Sequence, residues 1–394
     1  MNQVVIIDGV RTPVGALGGA LKDVPAHELL RQVFVELLRR TAVEPESINE
    51  VVAGCSFNPS KAPNVARVAA LLAGVPKTVP GATINVNCGS AMKALTYAYQ
   101  AIKAGEGDVF LVGGTESMSN IPYILPKARF GGYRMGNGEF IDMLWESLTD
   151  PVCGQLMGRT AENLVEEFNI TREEQDEFAL ASHQKAAAAA RAGKFDAEIV
   201  PVQAAKKSGP VVALAHDEGV RPELSLEQLA GLRAAFKDGG SVTAGNSCGI
   251  NDGASALLVM SSAKASELGL TPKAVIRSIA WVGLEPERMG LGPALALPKA
   301  LKQAGLDLAE LEAIEINEAF SAQVLSCLRV LPIDRNKLNL HGGAVALGHA
   351  VGSTGTRLVV TLMNILAQSN FRLGAASMCV GGGQGGAVVL ERLT

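Results

Sequence analysis

The chain has 394 residues, of which 48 per cent are apolar and 19 per cent charged, with 43 glycines and a net charge of −4. At roughly 150 residues per domain this allows two or three packed domains and excludes a disordered chain. Charges of both signs are intermixed, with no basic run or aromatic stripe for nucleic acid, and no apolar run nears the roughly 18 residues of a membrane span. The start, Met-Asn-Gln-Val-Val-Ile-Ile-Asp, has no signal-peptide layout, and the end, Glu-Arg-Leu-Thr, is not a peroxisomal address. The six cysteines, at 55, 88, 153, 248, 327 and 379, lack metal-ligand spacing, so the sequence predicts no metal and free thiols in a reducing cytoplasm.

In chain order, Val4 to Ile7 reads as a buried strand and Arg11 to Gly19 as a loop. Residues 26–41 have the period of an amphipathic helix, and Ile48 to Ala53 is a second strand. A helix over Val65 to Ala73 ends at Gly74, with Pro76 just beyond. Next comes Ile84-Asn-Val-Asn-Cys-Gly-Ser-Ala-Met-Lys-Ala-Leu95, which reads as a strand end, a cysteine and a helix. Met92, Leu95, Tyr99 and Ile102 form one helical face, closed by Gly105. Cys88 therefore sits at a strand-to-helix turn, where the helix dipole and free N–H groups favour a thiolate. It is a candidate nucleophile. Asp108 to Gly114 is another strand, running into Thr115-Glu-Ser-Met-Ser119. Strands alternating with helices predict an α/β fold with a parallel sheet covered on both faces.

Residues 120 to 247 interrupt this rhythm. The part from Ile121 to Asp150 is rich in Gly, Pro and aromatics and reads as a long excursion. Thr171 and Glu174 then make a capping box for a helix over Gln175 to Arg191, ended by Gly193. Strand–helix alternation resumes near Ala254. From there the chain echoes its first half in order. Residues 49–57 resemble 312–320, Ile84-Asn-Val-Asn-Cys-Gly resembles Leu338-Asn-Leu-His-Gly-Gly, and Phe110-Leu-Val-Gly-Gly resembles Met378-Cys-Val-Gly-Gly. This reads as an internal duplication that sets corresponding turns face to face. The predicted division is 1–119, completed by about 248–270, then 120–247 as an inserted loop domain, then 271–394.

The second half carries three glycine-rich turns: Asn317-Glu-Ala-Phe320, Gly342 to Gly355, and Cys379-Val-Gly-Gly-Gly-Gln-Gly-Gly386. None has a following Gly-Lys-Ser/Thr, and no Gly-x-Gly-x-x-Gly follows the first strand, so neither a phosphate loop nor a dinucleotide site is indicated. Such turns let backbone N–H groups crowd a reacting centre. Among five histidines, His349 lies inside the glycine-rich turn Gly342 to Gly355.

These motifs resemble the thiolase family (acetyl-CoA C-acyltransferases) nearly end to end. They are Cys88-Gly-Ser, Gly113-Gly-Thr-Glu-Ser-Met-Ser119, Met157-Gly-Arg-Thr-Ala-Glu-Asn163, Gly245-Asn-Ser-Cys-Gly-Ile-Asn-Asp-Gly253, Asn317-Glu-Ala-Phe320, Gly343-Ala-Val-Ala-Leu-Gly-His349 and Cys379-Val-Gly-Gly-Gly-Gln-Gly385. The resemblance implies two duplicated α/β halves in five layers, α-β-α-β-α, with an inserted loop domain over coenzyme A. It implies Claisen condensation of acyl-CoA with acetyl-CoA, or the reverse thiolysis, on short to medium chains. It assigns Cys88 as the acyl acceptor, His349 as its proton acceptor, and Cys379 as the group that removes a proton from the acetyl methyl. His349 and a water on Asn317 would hold the enolate oxygen. The N–H groups of Cys88 and Gly381 would hold the tetrahedral intermediate. Met157, Arg221, Phe236, Ala244, Cys248, Met289 and Phe320 would contact coenzyme A, which is a substrate and not a resident cofactor. The segment at 120–150 resembles a loop with which tetrameric members assemble, which implies a homotetramer. A ketoacyl synthase-like enzyme pairs its cysteine with two histidines, and Cys379 argues against it. A non-catalytic acyl-CoA-binding scaffold subunit is a further alternative.

Five positions depart from the commonest family pattern. Asn87 stands where an apolar residue is usual, Ala91 for a frequent glycine, Leu156 for a histidine of biosynthetic short-chain members, Cys248 for a pantetheine-binding serine, and Ala350 for a proline. These leave every catalytic group in place.

Overall fold

The computed structural model describes residues 3–204 and 212–393. Its backbone is one mixed sheet whose strand order repeats. The first half supplies β1 (Val4–Arg11), β2 (Glu50–Gly54), β3 (Gly81–Ile84), β4 (Val109–Ser117) and β5 (Asn251–Ser261). The second supplies β6 (Ala274–Gly283), β7 (Ala313–Ile316), β8 (Leu373–Val380) and β9 (Gln384–Arg392). The order is β7-β8-β9-β6-β1-β5-β4-β2-β3, with Gly15–Ala16 pairing β5. Leu338 bridges Ile314 of β7 in parallel, as β3 pairs β2. Each half thus runs third, second, fourth, fifth, first. The halves join through Val5 with Val275 and Ile6 with Ala274.

The expected parallel sheet is corrected to a mixed one. Only β3, β2 and β4, and their counterparts β7 and β8, run parallel. β5 lies antiparallel to β4 and β1 because the chain returns to the sheet from the excursion. β8 and β9 are a hairpin closed by Gly381-Gly382-Gly383, where Gly382 and Gly383 take φ of 86° and 74°. A turn this short can reverse the chain but cannot carry a parallel crossover.

Helices fill the spaces between and outside the sheets. α1 (Ala26–Thr41) and α2 (Val65–Leu72) cover the first half with one buried apolar cluster. α3 (Ser90–Ala104) and a helix over Thr354–Gln368 lie between the halves, where Met92, Leu95, Leu358 and Leu362 share a core with both sheets. The helix over Gly292–Ala304 packs on the far face through Leu297 and Leu301. This gives five layers. A fully buried Leu or Ile contributes about 1.5–3 kcal/mol, so the central layer is a large source of stability. The helix over 354–368 is buried from Thr354 to Leu366, and its polar stripe meets other buried groups: Thr361 and Asn364 donate to Glu198 at 3.3 and 3.0 Å.

The two long helices of the excursion are Met157–Phe168 and Arg172–Arg191, alongside the short Met143–Ser147 and Leu226–Ala230. The capping box is present: Glu174 N donates to Thr171 Oγ1 at 3.1 Å, and Thr171 N to Glu174 Oε2 at 2.9 Å. The excursion is fastened to β1 by Arg11. Its buried guanidinium donates to Glu198 at 2.6 Å and to Asp217 at 2.7 Å, and both carboxylates raise its already high pKa. Breaking such a pair would leave an uncompensated buried charge. Among the described residues no helix is long and apolar enough to cross a membrane.

Candidate active site

Cys88 lies two residues before α3, with Gly89 as its N-cap. A Cβ at Gly89 would come within 2.8 Å of the Trp281 ring and 2.9 Å of Val380, so only glycine lets the turn sit that deep. Ser90 locks the turn: its hydroxyl donates to Asn87 O at 2.6 Å and accepts from Val86 N at 2.9 Å. The N–H groups of Gly381 and of Cys88 itself favour the Cys88 thiolate. The thiol nevertheless has its pKa raised, because burial outweighs both donors and Glu116 adds a like charge. The expectation of a resting thiolate is corrected. A helix N-terminus lowers a thiol pKa, but desolvation opposes it and prevails here.

His349 follows the short helix Ala344–Leu347. Its backbone N–H donates to Asn251 Oδ1 at 2.9 Å. Its Nδ1 lies 2.6 Å from Thr354 Oγ1, and that hydroxyl gives its only proton to Ala350 O at 2.9 Å. Nδ1 must then be the donor, and Nε2 carries the free lone pair. Nε2 is buried without a partner. Burial, helped by the charge of Arg357, pushes the His349 pKa down to about 3, so the ring is neutral. Ala350, in place of proline, does not loosen the turn. Its carbonyl accepts from Ser353 N, Thr354 N and Thr354 Oγ1 at 3.0, 3.1 and 2.9 Å.

Asn317 is wholly buried, and both its Oδ1 and Nδ2 lack partners. A buried primary amide with all its polar atoms free fits a site made for a water or a ligand. Cys379, near the end of β8, packs with Met289, Phe320, Ala319 and Met157. Burial raises its thiol pKa well above normal, and Cys88, Cys327 and Cys248 add to this. Cys379, Cys248 and Cys88 therefore share one neighbourhood. A cavity of about 420 Å³ opens at this point, lined by Ser56, Asn87, Cys88, Leu148, Met157 and Gly381.

Residues 4–263 match the profile described as "Thiolase, N-terminal domain", and residues 270–392 match "Thiolase, C-terminal domain". The chain belongs to the thiolase family. It is 46% identical over 393 residues to a "Probable acetyl-CoA acyltransferase" of Staphylococcus epidermidis, covering 100% of this chain and 99% of that protein. Among solved structures, the Bacillus anthracis acetyl-CoA acetyltransferase matches with a TM-score of 0.97 and 45% identity, over 100% of this chain and 99% of that one. A human mitochondrial 3-ketoacyl-CoA thiolase in complex with CoA matches with a TM-score of 0.96 and 39% identity, over 100% and 98%. The fold is the thiolase fold, and the chain is an acyltransferase.

The residues expected to contact coenzyme A fall into two groups in this thiolase. Arg221 and Ala244 line a second cavity of about 430 Å³, together with His183, Ser247, Asn251 and Gly348. Phe236 stacks edge-on against Phe320 at 6.0 Å and lies over Gly158. Met289 and Phe320 are buried in the apolar cluster around Cys379. Cys248 is held by its backbone N–H on Ala319 O at 3.0 Å, and burial pushes its thiol pKa up to about 12. Leu156 is the N-cap of the helix over 157–168. Ala91 is fully buried against Gly114 and does not line the cavity at Cys88, so its methyl takes space from the packing between β4 and α3 instead.

Three further residues hold the thiolase site without having been singled out in the sequence. Glu116 accepts from Ser56 N at 2.9 Å, Phe57 N at 3.1 Å and Gly352 N at 3.0 Å, tying one wall of the cavity to the turn after His349. Glu318 accepts from Ser182 Oγ at 2.6 Å, Asn339 Nδ2 at 2.8 Å and Val345 N at 3.1 Å. Thr354 sets the His349 tautomer. Glu116 and Glu318 stood within motifs, but their bonding partners are far away in sequence.

Proposed function

We propose that this thiolase carries acyl groups on Cys88 between coenzyme A thiols, and joins or cleaves them with acetyl-CoA. The observations that support this reading are the neutral His349 with its free Nε2, and Cys88 opening on a cavity that Gly381 and Val351, two residues after His349, also line. In the first half-reaction the Cys88 sulfur attacks the acyl thioester carbon while its proton passes to His349 Nε2. The carbonyl oxygen gains charge against the N–H groups of Cys88 and Gly381. The coenzyme A thiolate leaves, takes a proton, and the acyl group remains as a new thioester. Thioester exchange is close to thermoneutral, which is why sulfur suits the role.

In the second half-reaction Cys379 removes a proton from the methyl of acetyl-CoA. A water on Asn317 would hold the enolate oxygen, joined by His349, positioned by Thr354, whenever its Nε2 carries a proton. The enolate carbon attacks the acyl carbon, the C–S bond breaks with Cys88 leaving as a thiolate, and this takes up a proton to restore the resting thiol while Cys379 gives its own up to return to the base form for the next cycle. Arg221, Ala244, Met157, Phe236, Cys248, Met289 and Phe320 would lie along the bound coenzyme A. The 420 Å³ cavity at Cys88 exceeds the needs of an acetyl group, which supports acyl chains of short to medium length. Intact-protein mass after mixing with acetyl-CoA, and separately with a longer acyl-CoA, tests the reading. An adduct mapped to Cys88 is expected; its absence with both donors would refute it.

Thr354→Val removes the acceptor of the His349 Nδ1–H and leaves a buried donor unsatisfied, a cost of about 1–3 kcal/mol. Turnover should fall roughly 10- to 100-fold with little change in KM, and Thr354→Ser should restore it. Native turnover in the Val variant would show that the tautomer is set elsewhere.

The assembly we propose is a homotetramer. Between Tyr123 and Val152 the chain exposes Phe130 at 91%, Met135 at 97%, Phe140 at 70% and Val152 at 81%. Apolar groups this exposed mark an association surface. The free edge of β3 offers a second one. Light scattering should give the mass of four chains, and a monomer would rule this out. Free thiols at the reacting centre suit a reducing compartment, and the cytoplasm is proposed as the location, to be checked by cell fractionation.

A further inference from the structure

Asn87 is the residue just before Cys88. Its backbone is left-handed, with φ of 44°, a region that Asn enters more readily than most residues. The turn around it is wired at both ends. Asn87 N donates to Asn85 Oδ1 at 3.0 Å, and its carbonyl accepts from Ser56 Oγ at 2.8 Å and Ser90 Oγ at 2.6 Å. This aims the side chain across the mouth of the cavity. Its Nδ2 donates to the carbonyl of Gly381, 294 positions later, at 3.0 Å.

Gly381 opens the three-glycine turn between β8 and β9. Without side chains the turn has little packing of its own to fix it. Its far end is pinned where Leu284 N donates to Gly383 O at 2.8 Å. The near end carries an N–H that favours the Cys88 thiolate, and Gly381 lines the same cavity as Cys88 and Asn87. One amide thus links the turn that bears the nucleophile to the turn that bears the donor. The two turns come from opposite halves of the molecule.

We propose that Asn87 is a positioning residue, whose amide fixes Gly381 so that its N–H is already aimed at the sulfur and at the thioester oxygen of the acyl group being transferred. This rests on the reading of Cys88 as the acyl acceptor. The physical reason is preorganisation. A donor stabilises developing charge fully only if it need not reorient, and three successive glycines allow wide backbone freedom. An apolar residue at 87 would leave the near end of the turn without a side-chain hydrogen bond. The asparagine supplies a directional bond at a point where no side chain of the turn can.

The test uses two variants. Asn87→Gly keeps the left-handed backbone and deletes the amide. Asn87→Asp keeps the shape but turns an acceptor towards the Gly381 carbonyl. The readouts are first-turnover acylation by acetyl-CoA, the pH profile of Cys88 alkylation by iodoacetamide, KM, and the melting temperature. Acylation should slow about tenfold in Asn87→Gly and further in Asn87→Asp, a fraction of the loss expected when such a donor is removed outright. The alkylation profile should move to higher pH, with KM and melting temperature unchanged. Native acylation in both variants would overturn the proposal. Slow acylation with an unmoved alkylation profile would too, because the effect would then not pass through the donor at the sulfur. Loss of the fold would also overturn it, since Asn87 is exposed and a positioning amide there leaves the fold standing. If the native protein forms no adduct, the acyl-acceptor reading falls instead, while the alkylation profiles still decide whether Asn87 acts on Cys88.

Discussion

Cys88→Ser should leave a folded protein that no longer forms an acyl-enzyme, with turnover lower by a factor on the order of 10⁴ or more, as for removal of other nucleophiles. The fold should survive because the change is nearly isosteric and the turn is held by Ser90, Gly89 and the Asn87 carbonyl, none of which use the sulfur. Chemistry should fail for two reasons. The serine hydroxyl is far less acidic than a thiol, and His349, whose pKa is held near 3 by burial and Arg357, is a weak base for so weak an acid. An oxygen ester would also be a poor leaving point for the second half-reaction. An undiminished acyl adduct in the serine variant would remove Cys88 from the mechanism.

The native enzyme should show a matching pH dependence. Cys88 has its pKa raised, so its thiolate fraction climbs through the neutral and alkaline range. His349 stays neutral at any pH well above about 3 and adds no acid limb of its own. The rate of alkylation should therefore rise by about tenfold per unit between about pH 6 and 9, whereas acylation, in which neutral His349 takes the thiol proton, should change little. A plateau beginning below about pH 7 would mean a thiolate at rest, contrary to the burial seen here.

What the sequence made legible, and what it did not, follows from how far each interaction reaches. α1 matches its predicted range because its apolar face repeats within the segment. The capping box at Thr171 needs only four neighbouring residues. The duplication predicted from three short echoes is visible as the repeated strand order. Strand direction was misjudged, because an alternating pattern is the same in either direction and the return of β5 is set by the excursion before it. The helix over 354–368 carries a polar stripe, yet neighbours bury it on every side, which its own period does not reveal. The thiol pKa was misjudged for a similar reason: a helix start is local and readable, whereas burial is the sum of distant packing. Thr354 lies five residues from His349, but only the bond to Ala350 O reveals which proton it uses.

Cys379→Ser should separate the two half-reactions. Acylation of Cys88 should continue near its native rate, because its direct participants are Cys88, His349 and the two backbone donors. Condensation and thiolysis should fall roughly 10²–10⁴-fold, the range for loss of a general acid or base. Cys379 enters the cycle protonated, since burial and three neighbouring cysteines raise its pKa. That state is ready for thiolysis, in which the thiol gives its proton to the acetyl-CoA enolate as the carbon–carbon bond breaks. In condensation the same thiol must first lose its proton. Acylation of Cys88 helps here, because a thioester sulfur cannot carry the negative charge that raises the Cys379 pKa. The order acylate first, deprotonate second is thus favoured by the electrostatics of adjacent sulfurs. Serine at this position would be too weak an acid to give the proton and too hard to convert to the base. The expected outcome is a protein that accumulates acyl-Cys88 from acetyl-CoA and neither releases 3-ketoacyl-CoA nor exchanges the methyl protons of acetyl-CoA with solvent deuterium. Equal loss of acylation and proton exchange would mean that the two cysteines act as one unit and would refute the division of roles. Undiminished proton exchange in the serine variant would move the methyl proton to another base.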